Sequence, residues 1–150
     1  MDLSAWYGEN VDKRFMHFRA ELLYILNQES ALMEIVKLIG SDVLPDEQKL
    51  ILDISRVIRV GFLQQNAFHS EDTYVPLIKQ FKMMEIILYL YEKAKLLVNI
   101  GIPMSVLNAD GIWNRIINIK YDVPNNKLEM FDNYKQDIDR FYSSISEKHA

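Results

Sequence analysis

Apolar side chains in this chain recur at steps of three and four residues, and only five glycines and four prolines interrupt its 150 positions. Steps of three and four keep side chains on one face of an α-helix, whereas a half-buried strand needs a step of two. The pattern predicts an all-α fold, a bundle of about six helices. Phe15, Phe18, Leu22 and Ile25 mark the inner face of a first helix. Leu32, Ile35, Val36 and Ile39 mark a second, which ends at Gly40, a residue suited to the position just past a helix. Pro45 fits a first helical position, and Asp46 and Glu47 favour the positive helix end, so a third helix runs toward Gln64 with Leu50, Ile54, Val57 and Ile58 inward. Gly61 costs that helix about 1 kcal/mol against alanine, which predicts an irregular end or a close packing partner there.

A polar connection from Asn66 to Thr73 leads to Pro76 and the longest helix, carrying Leu77, Phe81, Met84, Leu88 and Tyr91 inward as far as Leu97. Gly101 and Pro103 stop it. A shorter helix from Val106 to Ile119 carries Trp113, Ile116 and Ile117, and a last one carries Phe131, Tyr134, Ile138, Phe141 and Ile145. The strand-like stretch from Ile117 to Val123 is too short to found a sheet and reads equally well as a helix end.

With 49% apolar and 25% charged residues the chain has a globular composition, and no repeat, low-complexity tract or Ser/Gly linker divides it, so residues 1–150 read as one domain. Seventeen basic against twenty-one acidic residues leave a net charge of −4, with no basic field to hold nucleic acid or an anionic membrane. The absence of cysteine rules out disulfides, a thiolate nucleophile and Cys-ligated zinc, and suits a reducing cytosol. The longest apolar or aromatic run, Ile86 to Tyr91, is far short of the ~20 residues of a membrane span, so no direct membrane insertion is expected. Met1-Asp2-Leu3-Ser4 opens acidic, without the basic start of a secretory signal.

Little in the chain carries chemistry by itself. No pair of glycines is followed by Lys-Ser/Thr, as a phosphate-cradling loop requires. His17, His69 and His149 are far apart, and none has a second histidine four residues on, so no metal site is expected. Glu71 and Asp72 lie on the polar connection, where acids are solvated or cap the next helix, and Ser55 and Ser70 belong to no nucleophile motif. No catalytic residue is assigned. Two segments stand out. Ser41 to Lys49 forms a helix-turn-helix tip with three acids, Asp42, Asp46 and Glu47, and two apolar residues, Val43 and Leu44; composition alone makes it a solvated turn. In Phe62-Leu63-Gln64-Gln65-Asn66-Ala67-Phe68-His69 the amides can cap a helix and Phe68 can fill the core. The same aromatic face and amides also suit a planar heterocycle.

These residues are what the chain shares with a known family. Glu34-Ile35-Val36-Lys37-Leu38-Ile39-Gly40, Leu44-Pro45, the Phe62 to His69 string and Asp72-Thr73-Tyr74-Val75-Pro76-Leu77 resemble the C-terminal helical domain of the catalytic A subunit (alpha chain) of archaeal and bacterial A/V-type rotary ATP synthases. The Phe-Leu-Gln-Gln-Asn-Ala-Phe string is the most specific part, and the resemblance is loosest from about Met104 onward.

The resemblance implies a part of a larger subunit, in which a nucleotide-binding domain precedes these helices and ATP or ADP with magnesium is held by that subunit, with no cofactor in the helical part. It implies alternating A and B subunits in a head at the cytoplasmic side of the membrane, with the B subunit and the central-stalk subunits as partners. Similarity to the F-type beta subunit implies that Phe68 stacks on adenine in a pocket shared with Gln65, Asn66 and Ala67. The same similarity implies that Asp42, Val43, Leu44, Asp46 and Glu47 form the rotor contact. The bundle would then be a lever that couples ATP synthesis or hydrolysis to proton or sodium transport, without ATPase activity of its own. The competing expectation is a free-standing helical adapter or regulatory module whose groove, lined by Met83, Met84 and tyrosines of the fourth helix, binds a partner helix.

Overall fold

The computed structural model describes residues 3–64 and 75–149, and every regular element among them is helical. A short helix α1 (Leu3–Asn10), which the periodicity does not signal, precedes α2 (Phe15–Ile39). The two helices expected at 15–25 and 32–39 are therefore one rod of 25 residues. No glycine or proline stands between Ile25 and Leu32 to stop it. The polar gap in the apolar stripe is Glu29, whose carboxylate accepts from Arg59 Nε at 3.0 Å and Nη2 at 2.7 Å. An ion pair thus fills a position that a hydrophobic pattern leaves blank. Phe15, Leu22, Ile25 and Leu32 are buried, but Ile35 and Ile39, expected inward, are 40% and 62% exposed. Gly40 ends the rod at φ 84°, a conformation that would strain any residue with a Cβ.

After a turn the chain enters α3 (Asp46–Arg56), which passes directly into a π-helical segment, Val57–Leu63. This is the irregularity expected near Gly61, and the close partner is present as well. A Cβ at Gly61 would stand 3.1 Å from both Cα and O of Ile117. Leu50, Ile54, Val57 and Ile58 are buried, as their spacing predicts.

The longest helix after α2 is α4 (Leu77–Asn99), begun by Pro76. Met83, Met84, Ile86, Ile87, Leu88 and Leu90 are all buried, and a helix apolar on nearly every side is the centre of a bundle. It packs against α2, α3 and α8 (Phe131–Lys148). Phe81, Met84 and Leu88 are buried as expected, whereas Leu77 and Tyr91 are half-buried. At its start Phe18 stacks on Phe81 with centroids 5.4 Å apart, and the Arg14 guanidinium lies 5.4 and 5.1 Å from the two rings. Cation and rings together fasten the beginning of α2 to the beginning of α4.

The helix expected at 106–119 is broken into α5 (Met104–Asn108), α6 (Ile112–Ile117) and α7 (Ile119–Asp122). Asp110 causes the first break: its Oδ1 accepts from the Ile112 N–H at 2.9 Å and starts a new helix. Trp113 Nε1 donates back to the Leu107 carbonyl at 2.9 Å and closes the corner. The strand-like stretch at 117–123 belongs to these helical turns. In α8 the buried residues are the five predicted, Phe131, Tyr134, Ile138, Phe141 and Ile145. Each contributes about 1.5–3 kcal/mol of apolar burial toward holding α8 in place. Eight α-helices, rather than about six, thus occupy the described residues. None of them is long and apolar enough to cross a membrane.

Candidate functional site

The turn between α2 and α3 combines an engaged side and an open side. Leu44 is 6% exposed and its N–H donates to the Ser41 carbonyl at 3.1 Å, so this leucine fastens the turn to the core. Asp46 is half-buried and its Oδ1 accepts from the Met104 N–H at 3.2 Å, tying α3 to the start of α5. Asp42, Val43 and Glu47 are left facing solvent, Val43 at 60% exposure. Of the five residues expected at the tip, three are therefore open to solvent and two build the turn.

The open side continues onto the end of α2. Leu38 is 85% exposed, with the exposed Ile35 one turn before it and the exposed Ile39 next in the chain. Single exposed apolar residues are ordinary, but Ile35, Leu38, Ile39 and Val43 lie together within one helix end and its turn. A signal was present in the sequence. Ile35, Val36, Leu38 and Ile39 spread over about 160° of helix circumference, wider than the ~100° stripe that one neighbour covers.

The candidate adenine-pocket residues Gln65, Asn66, Ala67 and Phe68 lie outside the described residues, as do His69, Ser70, Glu71 and Asp72. The residues on either side of them are held. The Gln64 carbonyl accepts from Lys120 Nζ, and the Val75 carbonyl accepts from Gln80 Nε2 at 3.0 Å. Elsewhere, His17 pairs with Glu21 one turn on at 2.7 Å, and His149 is exposed. Ser55 is fully buried, and its hydroxyl has no hydrogen-bond partner among the described residues. No group of His, Asp and Glu among the described residues could hold a metal ion. Burial raises Asp53, against the opposing hydrogen bond from Asn108, and burial with the Asp139 hydrogen bond pushes Tyr89 up to about 12.

A family model described as the C-terminal domain of V and A type ATP synthase matches residues 4–104, which take in α1 to α4 and the α2–α3 turn. The V-type ATP synthase alpha chain 2 of Clostridium tetani is 43% identical over 147 residues, 98% of this chain and 25% of the relative. The V-type ATP synthase alpha chain of Halothermothrix orenii is 40% identical over 148 residues, 99% of this chain and 25% of the relative. The V-type ATP synthase alpha chain of Thermoanaerobacter sp. (strain X514) is 34% identical over 142 residues, 95% of this chain and 24% of the relative. The chain spans about a quarter of the length of these curated relatives. An all-helical bundle matched along α1 to α4 by one family model, and along nearly its whole length by these relatives, belongs to the C-terminal domain family of V and A type ATP synthases.

Proposed function

We propose that these helices are the stalk-facing part of the catalytic alpha chain of a rotary ATP synthase, in which they carry nucleotide-driven movement to the rotor. The observation that carries this reading is the apolar and acidic surface at the α2–α3 turn, where Leu38, Ile39 and Val43 stand exposed beside Asp42 and Glu47. A close-packed interior transmits displacement instead of absorbing it, so a rigid bundle ending in an adhesive tip suits a mechanical contact. In this reading the longer polypeptide supplies the phosphate-binding and catalytic groups and holds ATP with magnesium. The B subunit is its neighbour in a head peripheral to the membrane, and the coupled process is ion transport.

The test uses residues that face solvent, because Leu44 would unfold the turn. Leu38→Ser with Val43→Ser in the assembled complex is expected to weaken stalk binding by about a hundredfold or more, on the scale of two buried apolar contacts, while the helical circular dichroism is unchanged. Normal torque and stalk affinity in that variant would place the contact elsewhere.

Phe68 is the proposed adenine platform, with Gln65, Asn66 and Ala67 around it. Phe68→Ala in the full-length protein is expected to weaken nucleotide binding by about 1–3 kcal/mol, the scale of one base–aromatic stack. Equilibrium nucleotide titration checks it, and unchanged affinity rejects the platform. A ligand moves a conformational equilibrium only through contacts that differ between the states, and a stacked base on this domain would provide such a contact.

A further inference from the structure

The least expected polar groups in the bundle are two buried lysines, Lys79 at 1% exposure and Lys120 at 3%. Lys79 stands in the first turn of α4, and its ammonium donates to the Lys120 carbonyl at 2.8 Å, the Val123 carbonyl at 2.7 Å and Asn125 Oδ1 at 2.9 Å. An ammonium has three donors, and these three acceptors lie in one turn of chain, 120–125. Lys120, in that same turn, sends its own ammonium to the Gln64 carbonyl at the end of the π-helical segment. Gln80, next to Lys79, donates to the Val75 carbonyl. The π-helical segment is also pressed onto this region through Gly61 and Ile117.

We propose that Lys79 and Lys120 are positioning residues: Lys120 locks residue 64, and Lys79 locks the first turn of α4, onto which Gln80 holds residue 75, to the 119–125 turn, so that both flanks of the amide–phenylalanine string are fixed to it. Charge-assisted hydrogen bonds are shorter and about twice as strong as neutral ones, and burial removes the competing water. The lock therefore holds the end of the π-helical segment and the start of α4 at a set separation. Its anchor lies beyond residue 104, outside the stretch matched by the family model, so it gives the tail of this chain a role in nucleotide recognition. The last step rests on the adenine reading proposed above for Phe68.

Two measurements separate the lock from that reading. In hydrogen exchange on this chain, Lys120→Met is expected to speed exchange of the amides at 61–64, and Lys79→Met that of the amides at 80–84, by about tenfold, the scale of one lost charged hydrogen bond, while α8 is unchanged. Lys120→Arg is expected to restore much of the protection. Unchanged exchange, or a uniform rise through every helix, overturns the lock. In the full-length protein within its complex, Lys120→Met is expected to raise the KM for ATP by about fivefold with kcat within about twofold, and to lower the preference for ATP over CTP. If Phe68→Ala raises KM and Lys120→Met does not, the positioning role is overturned. If neither moves KM, the adenine reading fails, and the lock is decided by the exchange result alone.

Discussion

Leu90→Ala is expected to lower the stability of this chain by about 3–5 kcal/mol, near the upper end for loss of a buried leucine. Leu90 is 0% exposed on α4, and α4 is enclosed by α2, α3 and α8. The cost of such a change is the lost transfer energy plus the cavity left behind, and the cavity term is largest where neighbours cannot close in. Here the neighbours are fastened helices: α2 is tied by the Phe18–Phe81 stack and Arg14, and α8 by five buried side chains. Urea denaturation should show the midpoint falling with an unchanged slope. Leu38→Ala, at an 85% exposed position, is the control and is expected to change stability by less than about 0.5 kcal/mol. A loss below about 1 kcal/mol at Leu90 would mean that the bundle collapses around the hole and that α4 is not its rigid axis.

Gly61→Leu is the second large effect, with an expected loss of about 3 kcal/mol. Glycine in a helix ordinarily weakens it, so a larger residue there would be expected to help. The sign reverses because the space beside Gly61 holds backbone: the Ile117 Cα and carbonyl oxygen each lie 3.1 Å from where a Cβ would stand. A flexible side chain could swing aside, but a peptide group in α6 can move only by carrying its helix along. For the same reason trimming the neighbour in the double variant Gly61→Leu/Ile117→Ala is not expected to restore stability. Gly61→Ala tests the lower end of the scale, with an expected loss of about 1 kcal/mol. Thermal unfolding of the three variants is sufficient, and full rescue by Ile117→Ala would show that the crowding is between side chains.

How much of this was legible in the sequence depends on what filled each inward position. In α8 every inward position is apolar, and the five residues picked by spacing are the five that are buried. In α2 one inward position is Glu29, satisfied by Arg59 from the π-helical segment thirty residues away, so counting apolar residues divides one helix into two. At 106–119 the opposite error arises: the apolar spacing is continuous, but Asp110 redirects the backbone through a hydrogen bond of its own side chain. The tip was legible as a turn between helices. That Leu44 faces in and Val43 out depends on the tertiary packing, and period alone does not decide it. Lys79 and Lys120 were not legible at all, since their acceptors are mostly backbone carbonyls, which carry no side-chain signature.

The continuity of α2 fixes a simple proportion. At 1.5 Å per residue its 25 residues measure about 37 Å, from the aromatic cluster at Phe15 to the glycine that ends it. With no joint midway, a tilt of about 5° at the anchored end sweeps the far end through about 3 Å, close to the width of one side-chain layer. Two shorter rods meeting near Asn27 would have let the bend dissipate there. An undivided one would deliver the whole of any such sweep to Leu38 and to the turn beyond it.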